Sequence, residues 1–177
     1  MKCIKTPFKG LFVIEGNSFK DFRGSFNKLF NKMFFEEHGL ISEFKDLNHS
    51  MSLKKGTFRG FHYQISPFEE AKVISCLQGE IQDYAIDIRK GSDTYLKVYS
   101  IKLNQNENKI VYIPNGFAHG YMALEDNSQV IYLSSNYHSS KHERQINPLD
   151  PYFNLNYAYK PILSEKDEQA EFISYLP

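Results

Sequence analysis

The sequence has neither an excess of one charge nor a long apolar run. Lysine plus arginine number 21, as do aspartate plus glutamate, so the formal net charge is zero. Such a chain lacks the overall basic surplus that attracts nucleic acid or an anionic membrane, although a local basic pocket for a phosphate stays possible. No stretch approaches the roughly 20 apolar residues of a membrane-spanning helix. Met1 opens onto a mixed charged and apolar segment, unlike a signal peptide. We expect a cytoplasmic protein that binds neither nucleic acid nor membrane.

Cysteine is scarce and tryptophan is absent. The two cysteines, Cys3 and Cys76, are too few for a disulfide framework, and Cys76 lies in an apolar run that predicts a core position. The aromatic residues are 15 Phe and 12 Tyr, and this surplus of tyrosine suits a pocket that binds rings as well as a core. A length of 177 residues fits one domain, spanning 1–177, with one substantial core.

Short runs of β-branched and aromatic residues predict strands along most of the chain. Residues 96–103 alternate apolar and polar side chains, which is typical of a strand with one solvated face. Residues 71–88 hold two such runs, separated by a turn at Gln78-Gly79. Further runs lie at 10–16, 110–113 and 129–133. Many short strands without alternating helices favour an all-β sandwich or barrel.

Helix is predicted in only two places. Residues 28–38 have a helical pattern that stops at Gly39, and the polar, acidic tail after Pro161 suits a second short helix.

Polar side chains concentrate in two strand-like segments, 56–64 and 113–120. In the first, Arg59 and His62 are three residues apart, while His62 and Gln64 share one face of a strand because side chains alternate. In the second, His119 follows a Pro-Asn-Gly turn. This Pro-x-Gly-x-x-His pattern is similar to the second half of the cupin signature.

A metal site is one interpretation of these histidines. Metal-binding cupins need a His-x-His pair, and here Gln64 stands in place of the second histidine. His62, His119 and a carboxylate could still form a three-ligand site. Either histidine could instead be a buried residue that one hydrogen bond satisfies, although the Arg, Gln and Tyr around both weaken that interpretation.

A longer series of motifs resembles the dTDP-4-dehydrorhamnose 3,5-epimerase family, over residues 10–167. The motifs that carry the resemblance are DFRG at 21–24, NHS at 48–50, RGFHYQ at 59–64, Lys72, GEIQD at 79–83, DIR at 87–89, IPNGFAHG at 113–120, HER at 142–144, DP at 150–151 and LSEKD at 163–167. The resemblance implies a cupin jelly roll with one or two short helices. It also implies no cofactor and no metal, and a homodimer that exchanges N-terminal strands.

The resemblance further implies a substrate and a set of catalytic residues. The substrate is a nucleoside diphosphate linked to a 4-keto-6-deoxy sugar, whose ketone acidifies the hydrogens on C3 and C5. His62 is the implied base and Tyr132 the implied acid on the opposite face of the ring; a phenol arrives protonated because its ordinary pKa is about 10. Lys72 would stabilise the enolate oxygen. Asp167 is expected behind His62, and Asp83 behind His119.

The substrate-binding residues are implied in the same way. Arg23, Arg59 and Lys72 are the expected contacts to the diphosphate and the sugar, since the arginine fork matches phosphate oxygens. The full set of further binding positions comprises Lys28, Asp46, Asn48, Gln64, Tyr137, Glu143 and Lys166. Arg23 is expected to serve the neighbouring subunit's site.

The chain departs from the family pattern around the nucleotide. Lys28 stands where the family has a glutamate that accepts from thymine, and Asp46-Leu47 replaces the usual Gln-Asp. Guanine has acceptors at O6 and N7 and donors at N1 and N2, so it suits a lysine and an aspartate better. We expect a GDP-linked sugar rather than a dTDP-linked one, with a heptose for a bacterial surface polysaccharide favoured over a hexose.

The regiochemistry and the class of function stay open at this point. His138, beside Tyr137, replaces one of two tyrosines and could change which carbon is processed, so inversion of C3 alone is an alternative to inversion of both C3 and C5. A metal-dependent cupin oxygenase or isomerase, and a sugar-binding cupin without activity, are the alternatives from other classes.

Overall fold

Thirteen β-strands and two short α-helices form within residues 1–173, the part of the chain that this computed structural model describes. The strands are β1 (Lys2–Lys5), β2 (Phe12–Glu15), β3 (Ser18–Asp21), β4 (Gly24–Asn27), β5 (Asp46–Ser52), β6 (Phe58–Gln64), β7 (Lys72–Gln78), β8 (Glu80–Asp87), β9 (Val98–Asn104), β10 (Lys109–Ile113), β11 (Phe117–Ala123), β12 (Ser128–Ser134) and β13 (Glu143–Gln145). The helices are α1 (Lys32–Glu37) and α2 (Glu165–Glu168), and a 3-10 turn covers Pro151–Phe153.

The strands form two large antiparallel sheets and a separate hairpin. The six-stranded sheet has the order β1-β2-β10-β7-β12-β5, and the five-stranded sheet has the order β13-β6-β11-β8-β9. Strands β3 and β4 pair only with each other. The predicted all-β sandwich is confirmed. The single domain expected over 1–177 stays a prediction, and residues 174–177 lie outside the described part of the chain.

The main core lies between the two sheets. Ile74, Val111 and Val130 of the six-stranded sheet pack with Ala85 and Leu103 of the five-stranded sheet. Each of these positions alternates with a side chain on the opposite face of its strand, as the period of two requires. Burial of these apolar side chains is the main force that holds the two sheets together.

A smaller apolar cluster covers the outer face of each sheet. On the six-stranded sheet, Phe35 of α1 and Leu40 pack on Val73 and Ile110. On the five-stranded sheet, the segment that begins at the 3-10 turn packs on Phe58, Phe61 and Met122. The apolar side chains that this segment contributes are Phe153, Leu155, Tyr157, Leu163 and Ile173. This second cluster brings the C-terminal segment to the strand that carries His62.

The helices are shorter than the sequence predicts. The first begins at Lys32 rather than Lys28, because the Asn31 side chain accepts from Phe34 N as the N-cap, while Lys28 N donates to Asn17 O outside the helix. Gly39 has a positive φ of 66° just after the helix, as the sequence pattern predicts for a helix end. The second helix forms in the acidic tail as predicted, but as a single turn. Neither is long and apolar enough to cross a bilayer.

The β3–β4 hairpin presents large apolar side chains to solvent. Phe22 is 98% exposed and Phe26 is 65% exposed. Leu47, on the edge strand β5, is also exposed to solvent. In this single chain nothing within residues 1–173 buries the hairpin aromatics.

Candidate active site

A cavity of about 370 Å³ opens between β5, β6, β7, β11 and β12 and is closed on one side by residues 162–167. Seven of the residues that the sequence implies for the site line it: Arg59, His62, Lys72, His119, Tyr132, Lys166 and Asp167. Ser50 and Tyr121, which sequence reasoning missed as site residues, also line it, and Tyr121 Oη donates to Ser50 Oγ over 2.8 Å. Ser50 lies on β5 and Tyr121 on β11, and no sequence motif marks either residue as part of a site.

His62 and Asp167 form a hydrogen-bonded pair at the wall of this cavity. His62 Nε2 lies 2.6 Å from Asp167 Oδ1, and the aspartate side chain is 5% exposed. Burial alone would raise the pKa of Asp167, but the hydrogen bond and charge from His62 outweigh it, so that the pKa of Asp167 is lowered. An ionised carboxylate here favours a proton on Nε2, which leaves Nδ1 as the nitrogen that can accept a proton.

The one-turn helix α2 positions Asp167. Ser164 caps it by accepting from Asp167 N, and Ile162 O accepts from Phe58 N, which attaches the segment to β6. The aspartate therefore reaches His62 across 105 positions of sequence.

His119 forms a second, more deeply buried pair. Its Nε2 lies 2.7 Å from Asp83 Oδ2, and the side chains are 10% and 2% exposed. Strand β11 pairs with both β6 and β8, which places His119 opposite His62 and next to the strand of Asp83. The structure thus brings together both His–Asp pairs that the family resemblance implies.

An irregularity in β6 places Arg59 in the same cavity as His62. Side chains three residues apart on a regular strand point to opposite faces. Between the paired positions His119–His62 and Tyr121–Arg59, β11 advances by two residues and β6 by three, so β6 contains a bulge. The extra residue corrects the parity, and both side chains line the cavity.

Glycines at the bulge permit the close approach of the two strands. Gly60 has a φ of 129°, and a Cβ there would lie 2.4 Å from Gly120 Cα and 2.7 Å from His119 O. Any side chain at position 60 would therefore separate β6 from β11 at the level of the two histidines.

Tyr132 projects from β12 into the cavity as a protonated phenol. Its neighbours across the sheet are Asn48 on β5 and Ile74 on β7. Burial raises the pKa of Tyr132, and the negative charge of Glu70 raises it further. The phenol can therefore act as a proton donor at neutral and mildly alkaline pH.

Lys72 is held by Glu70, a residue that sequence reasoning missed. The Lys72 Nζ lies 3.1 Å from Glu70 Oε1, and both side chains are 12% exposed. The other carboxylate oxygen of Glu70 contacts Ser134 Oγ. The only sequence signal for Glu70 was an acidic residue two positions before the lysine.

A second cavity of about 180 Å³ shares His62, Lys72 and Tyr132 with the first. Its remaining wall is rich in polar side chains: Asp46, Asn48, Tyr63, Gln64, Glu70, Ser134, His138 and Glu143. Burial would raise the pKa of Glu143, but its hydrogen bond to Lys166 Nζ at 2.7 Å, together with the nearby positive charges, lowers it. Together the two cavities offer enough polar contacts for a ligand with several hydroxyl or phosphate groups.

Four of the implied residues do not line either cavity. Asp83 lies behind His119, and Tyr137 is 60% exposed, with its carbonyl turned toward Gln64. Arg23 lies in the turn between β3 and β4, where its guanidinium forms an ion pair with Asp21 at 2.6 Å. Lys28 directly follows β4.

Gln64 lines the second cavity, but its amide is engaged with the backbone. Nε2 donates to Phe68 O and Tyr137 O, and Oε1 accepts from Ser139 N. These three bonds satisfy both donors and one acceptor position, so the side chain anchors the loop that carries His138 rather than offering free donors to a ligand. The family resemblance predicts a substrate contact at Gln64, and that role stays a prediction.

No group of three or more His, Cys, Asp or Glu side chains in positions 1–173 converges in a way that could hold a metal ion.

Comparison with known proteins gives a consistent result over nearly the whole chain. A family model described as dTDP-4-dehydrorhamnose 3,5-epimerase matches residues 5–174. The dTDP-4-dehydrorhamnose 3,5-epimerase of Shigella flexneri is 39% identical over 169 residues, covering 94% of this chain and 93% of the relative.

Two solved structures are similar in both fold and sequence. One is the 3,5-epimerase from Legionella pneumophila in complex with dTDP-4-keto-L-rhamnose, which matches with a TM-score of 0.94 and 33% identity over 99% of this chain and 94% of that one. The other is ChmJ, a 3′-monoepimerase from Streptomyces bikiniensis in complex with dTDP-quinovose, with a TM-score of 0.88 and 27% identity over 97% of this chain and 87% of that one.

Proposed function

Since the chain belongs to the dTDP-4-dehydrorhamnose 3,5-epimerase family and is therefore a nucleotide-sugar epimerase of the isomerase class, we propose that His62 and Tyr132 carry out its proton transfers. The observation that carries this assignment is that His62, with Asp167 at 2.6 Å, and the protonated Tyr132 line one cavity. A base held in one tautomer and a phenolic acid are the two groups that inversion at carbon requires.

The proposed reaction begins at a carbon next to the C4 ketone. Neutral His62 removes the proton from C3 or C5, and the electron pair of the broken C–H bond forms an enolate. The Lys72 ammonium stabilises the developing negative charge on the C4 oxygen. Tyr132 then donates its proton to the opposite face of the same carbon, which restores the ketone with inverted configuration. Exchange with solvent returns the proton to Tyr132 and removes it from His62.

Incubation of nucleotide-linked 4-keto-6-deoxy sugars in deuterium oxide tests this proposal. Deuterium should enter C3 and C5, and mass and NMR spectra of the product show which carbon carries it. His62→Asn should slow the exchange by about 100-fold or more, whereas Tyr132→Phe should spare much of the proton abstraction and block protonation from the far face. His38→Asn, at the exposed end of α1, is the matched control. Wild-type exchange in His62→Asn would overturn the mechanism.

We propose that both C3 and C5 are inverted. The protonated Tyr132 in the cavity supports this, because a donor is then available for each inversion. ChmJ is a 3′-monoepimerase of the same fold, so inversion of C3 alone is the alternative. The position of the label in the exchange experiment distinguishes the two.

We propose that the nucleotide is GDP and the sugar a 4-keto-6-deoxy heptose used for a bacterial surface polysaccharide. Asp46 supports the choice of base: it lines the second cavity beside Asn48, and its carboxylate can accept only. Two adjacent donors, as on N1 and N2 of guanine, pair with a carboxylate, whereas thymine offers one. Running the exchange experiment with both a heptose and a hexose substrate compares the two sugars.

We also propose that the chain acts as a homodimer in which the β3–β4 hairpin of each subunit reaches the partner's site. The exposed phenylalanines of the hairpin support this, because apolar side chains of this size are normally covered by another surface. Arg23 and Lys28 would then approach a cavity to which they do not belong within their own chain.

A further inference from the structure

Glu70 and Lys72 form an ion pair at the junction of the two cavities. Glu70 precedes β7, and Lys72 is the first residue of that strand. The 3.1 Å contact between Glu70 Oε1 and Lys72 Nζ joins two side chains that are each 12% exposed. On the far side of the carboxylate, the Ser134 hydroxyl contacts Oε2. Ser134 is the sheet partner of Lys72, so the three residues form a closed group.

The physical properties of lysine make this contact important. The ammonium is a compact charge on a flexible stem, and it has no fixed direction of its own. Removing it from water is costly unless an opposite charge and good hydrogen bonds compensate. Within 1–173, Glu70 is the carboxylate that forms an ion pair with Lys72, and the contact fixes Nζ beside the cavity that also holds His62 and Tyr132.

We propose that Glu70 is a positioning residue for the epimerisation: it holds the Lys72 ammonium where the enolate oxygen forms. The inference rests on the proposed function, because it requires Lys72 to act on that oxygen. The carboxylate does not touch the reacting atoms and acts through Lys72.

Glu70 also affects the proton donor through its charge. The titratable and charged groups that line the two cavities around Tyr132 are Asp46, Arg59, His62, Tyr63, Glu70, Lys72, His119, Tyr121, His138, Glu143, Lys166 and Asp167. After burial itself, the charge of Glu70 contributes most to the raised pKa of Tyr132, while Arg59 acts in the opposite direction. Loss of the carboxylate charge should therefore let Tyr132 ionise at a lower pH.

Two substitutions separate position from charge. Glu70→Gln keeps an oxygen that accepts from Lys72 but removes the charge, whereas Glu70→Ala removes both. Glu70→Ala should lower kcat about tenfold or more with a smaller change in KM, because Nζ is no longer held. Glu70→Gln should retain most of kcat at neutral pH while the alkaline limb of its pH profile moves to lower pH. Glu69→Gln is the matched control, because it removes the same charge one position earlier in the chain. Within residues 1–173 the Glu69 side chain forms no hydrogen bond or ion pair, so this variant should match the wild type.

If Glu70→Ala does not fold, Glu70→Leu takes its place, because leucine also lacks an acceptor for Lys72 Nζ but fills more of the space. Wild-type kcat in a folded variant without the acceptor would overturn the inference, and the pH profile of Glu70→Gln measures only the effect of the charge on Tyr132. A double-mutant cycle adds a second criterion: Glu70→Ala combined with Lys72→Met should be no slower than Lys72→Met alone. Additive losses would contradict action through Lys72.

Lys72→Met separates a failure of this inference from a failure of the proposed function. If Lys72→Met exchanges deuterium at the wild-type rate, the role proposed for Lys72 is wrong and the inference falls with it. If Lys72→Met is slow but both Glu70 variants behave as wild type, only the role of Glu70 is wrong.

Discussion

At the scale of single residues, the identity of the nucleotide depends on a small number of hydrogen-bonding groups. Asp46 faces the inside of β5 together with Asn48 and Ser50, because these positions alternate with the solvent-facing Leu47 and His49. A carboxylate at this position accepts from every partner and donates to none. A glutamine could both donate and accept, which is the pattern that thymine presents.

We expect the wild-type protein to bind GDP more tightly than dTDP, and Asp46→Gln to reduce that preference about tenfold, because one bidentate contact of the carboxylate to guanine N1 and N2 is lost. Isothermal titration calorimetry with both nucleotides measures the ratio. Asp93→Asn removes a carboxylate from an exposed turn and should leave it unchanged. Clearly tighter binding of dTDP by the wild type would contradict the assignment of the base.

The candidate site could be predicted from the sequence to an unequal degree. His62 and His119 stand out because they are polar residues within strand-like segments, and residue type alone suggests their chemistry. Tyr132 could be identified only through the family resemblance, because a tyrosine on a strand is ordinary. Glu70 could not be identified, because a glutamate near a lysine carries no signal until burial and distance are known.

At the scale of elements, the β6 bulge decides which side chains meet. Runs of β-branched and aromatic residues predict several strands of this chain, and period-two alternation predicts the strand at 96–103. The same rule separates Arg59 from His62, and only the pairing of β6 with β11 shows the extra residue that reunites them. The first helix begins later than its pattern predicts because of contacts that the pattern does not show. Lys28 N donates to Asn17 O outside the helix, and Asn31 caps the helix that begins at Lys32.

Gly60→Ala should destabilise the protein by more than about 1 kcal/mol, because alanine disfavours the backbone conformation and its Cβ would collide with Gly120. Gly24→Ala is the matched control, since Gly24 has a φ of 131° but no atom within 4 Å of the place that a Cβ would take. Urea unfolding of both variants measures the difference. Equal losses of stability would mean that backbone strain, rather than contact between β6 and β11, accounts for the effect.

At the scale of the whole molecule, the distribution of apolar surface supports the proposed homodimer. The hairpin aromatics are exposed, and a groove on the outer face of the six-stranded sheet near Leu29, Phe30, Leu47 and Leu133 is almost entirely apolar. If the hairpin of one subunit docks in this groove of its partner, two-fold symmetry repeats the same contact on the other side.

Mixing two inactive variants tests the exchange of hairpins. Arg23→Ala and His62→Asn should each be nearly inactive alone. After the subunits are allowed to exchange, mixed dimers contain one site with both native residues, and about a quarter of the wild-type rate should return if Arg23 serves the partner's site. Sedimentation velocity verifies the dimer. No recovery in a mixture that has exchanged would mean that Arg23 serves its own chain.

The pairing of His62 with Asp167 also determines how the enzyme can lose activity. The base belongs to β6, which lies inside the five-stranded sheet, but its orienting carboxylate belongs to a single helical turn at the surface. That turn is held by a bridge between Thr57 and Ile162 and by bonds from Lys166 to Glu143 and from Asn147 to Glu168 O. A short peripheral turn opens at far lower free energy than the sheets unfold. Detachment of residues 162–167 would leave the two sheets folded. His62 would then lack the Asp167 carboxylate that holds the proton on Nε2. Inactivation by heat or denaturant should therefore precede global unfolding.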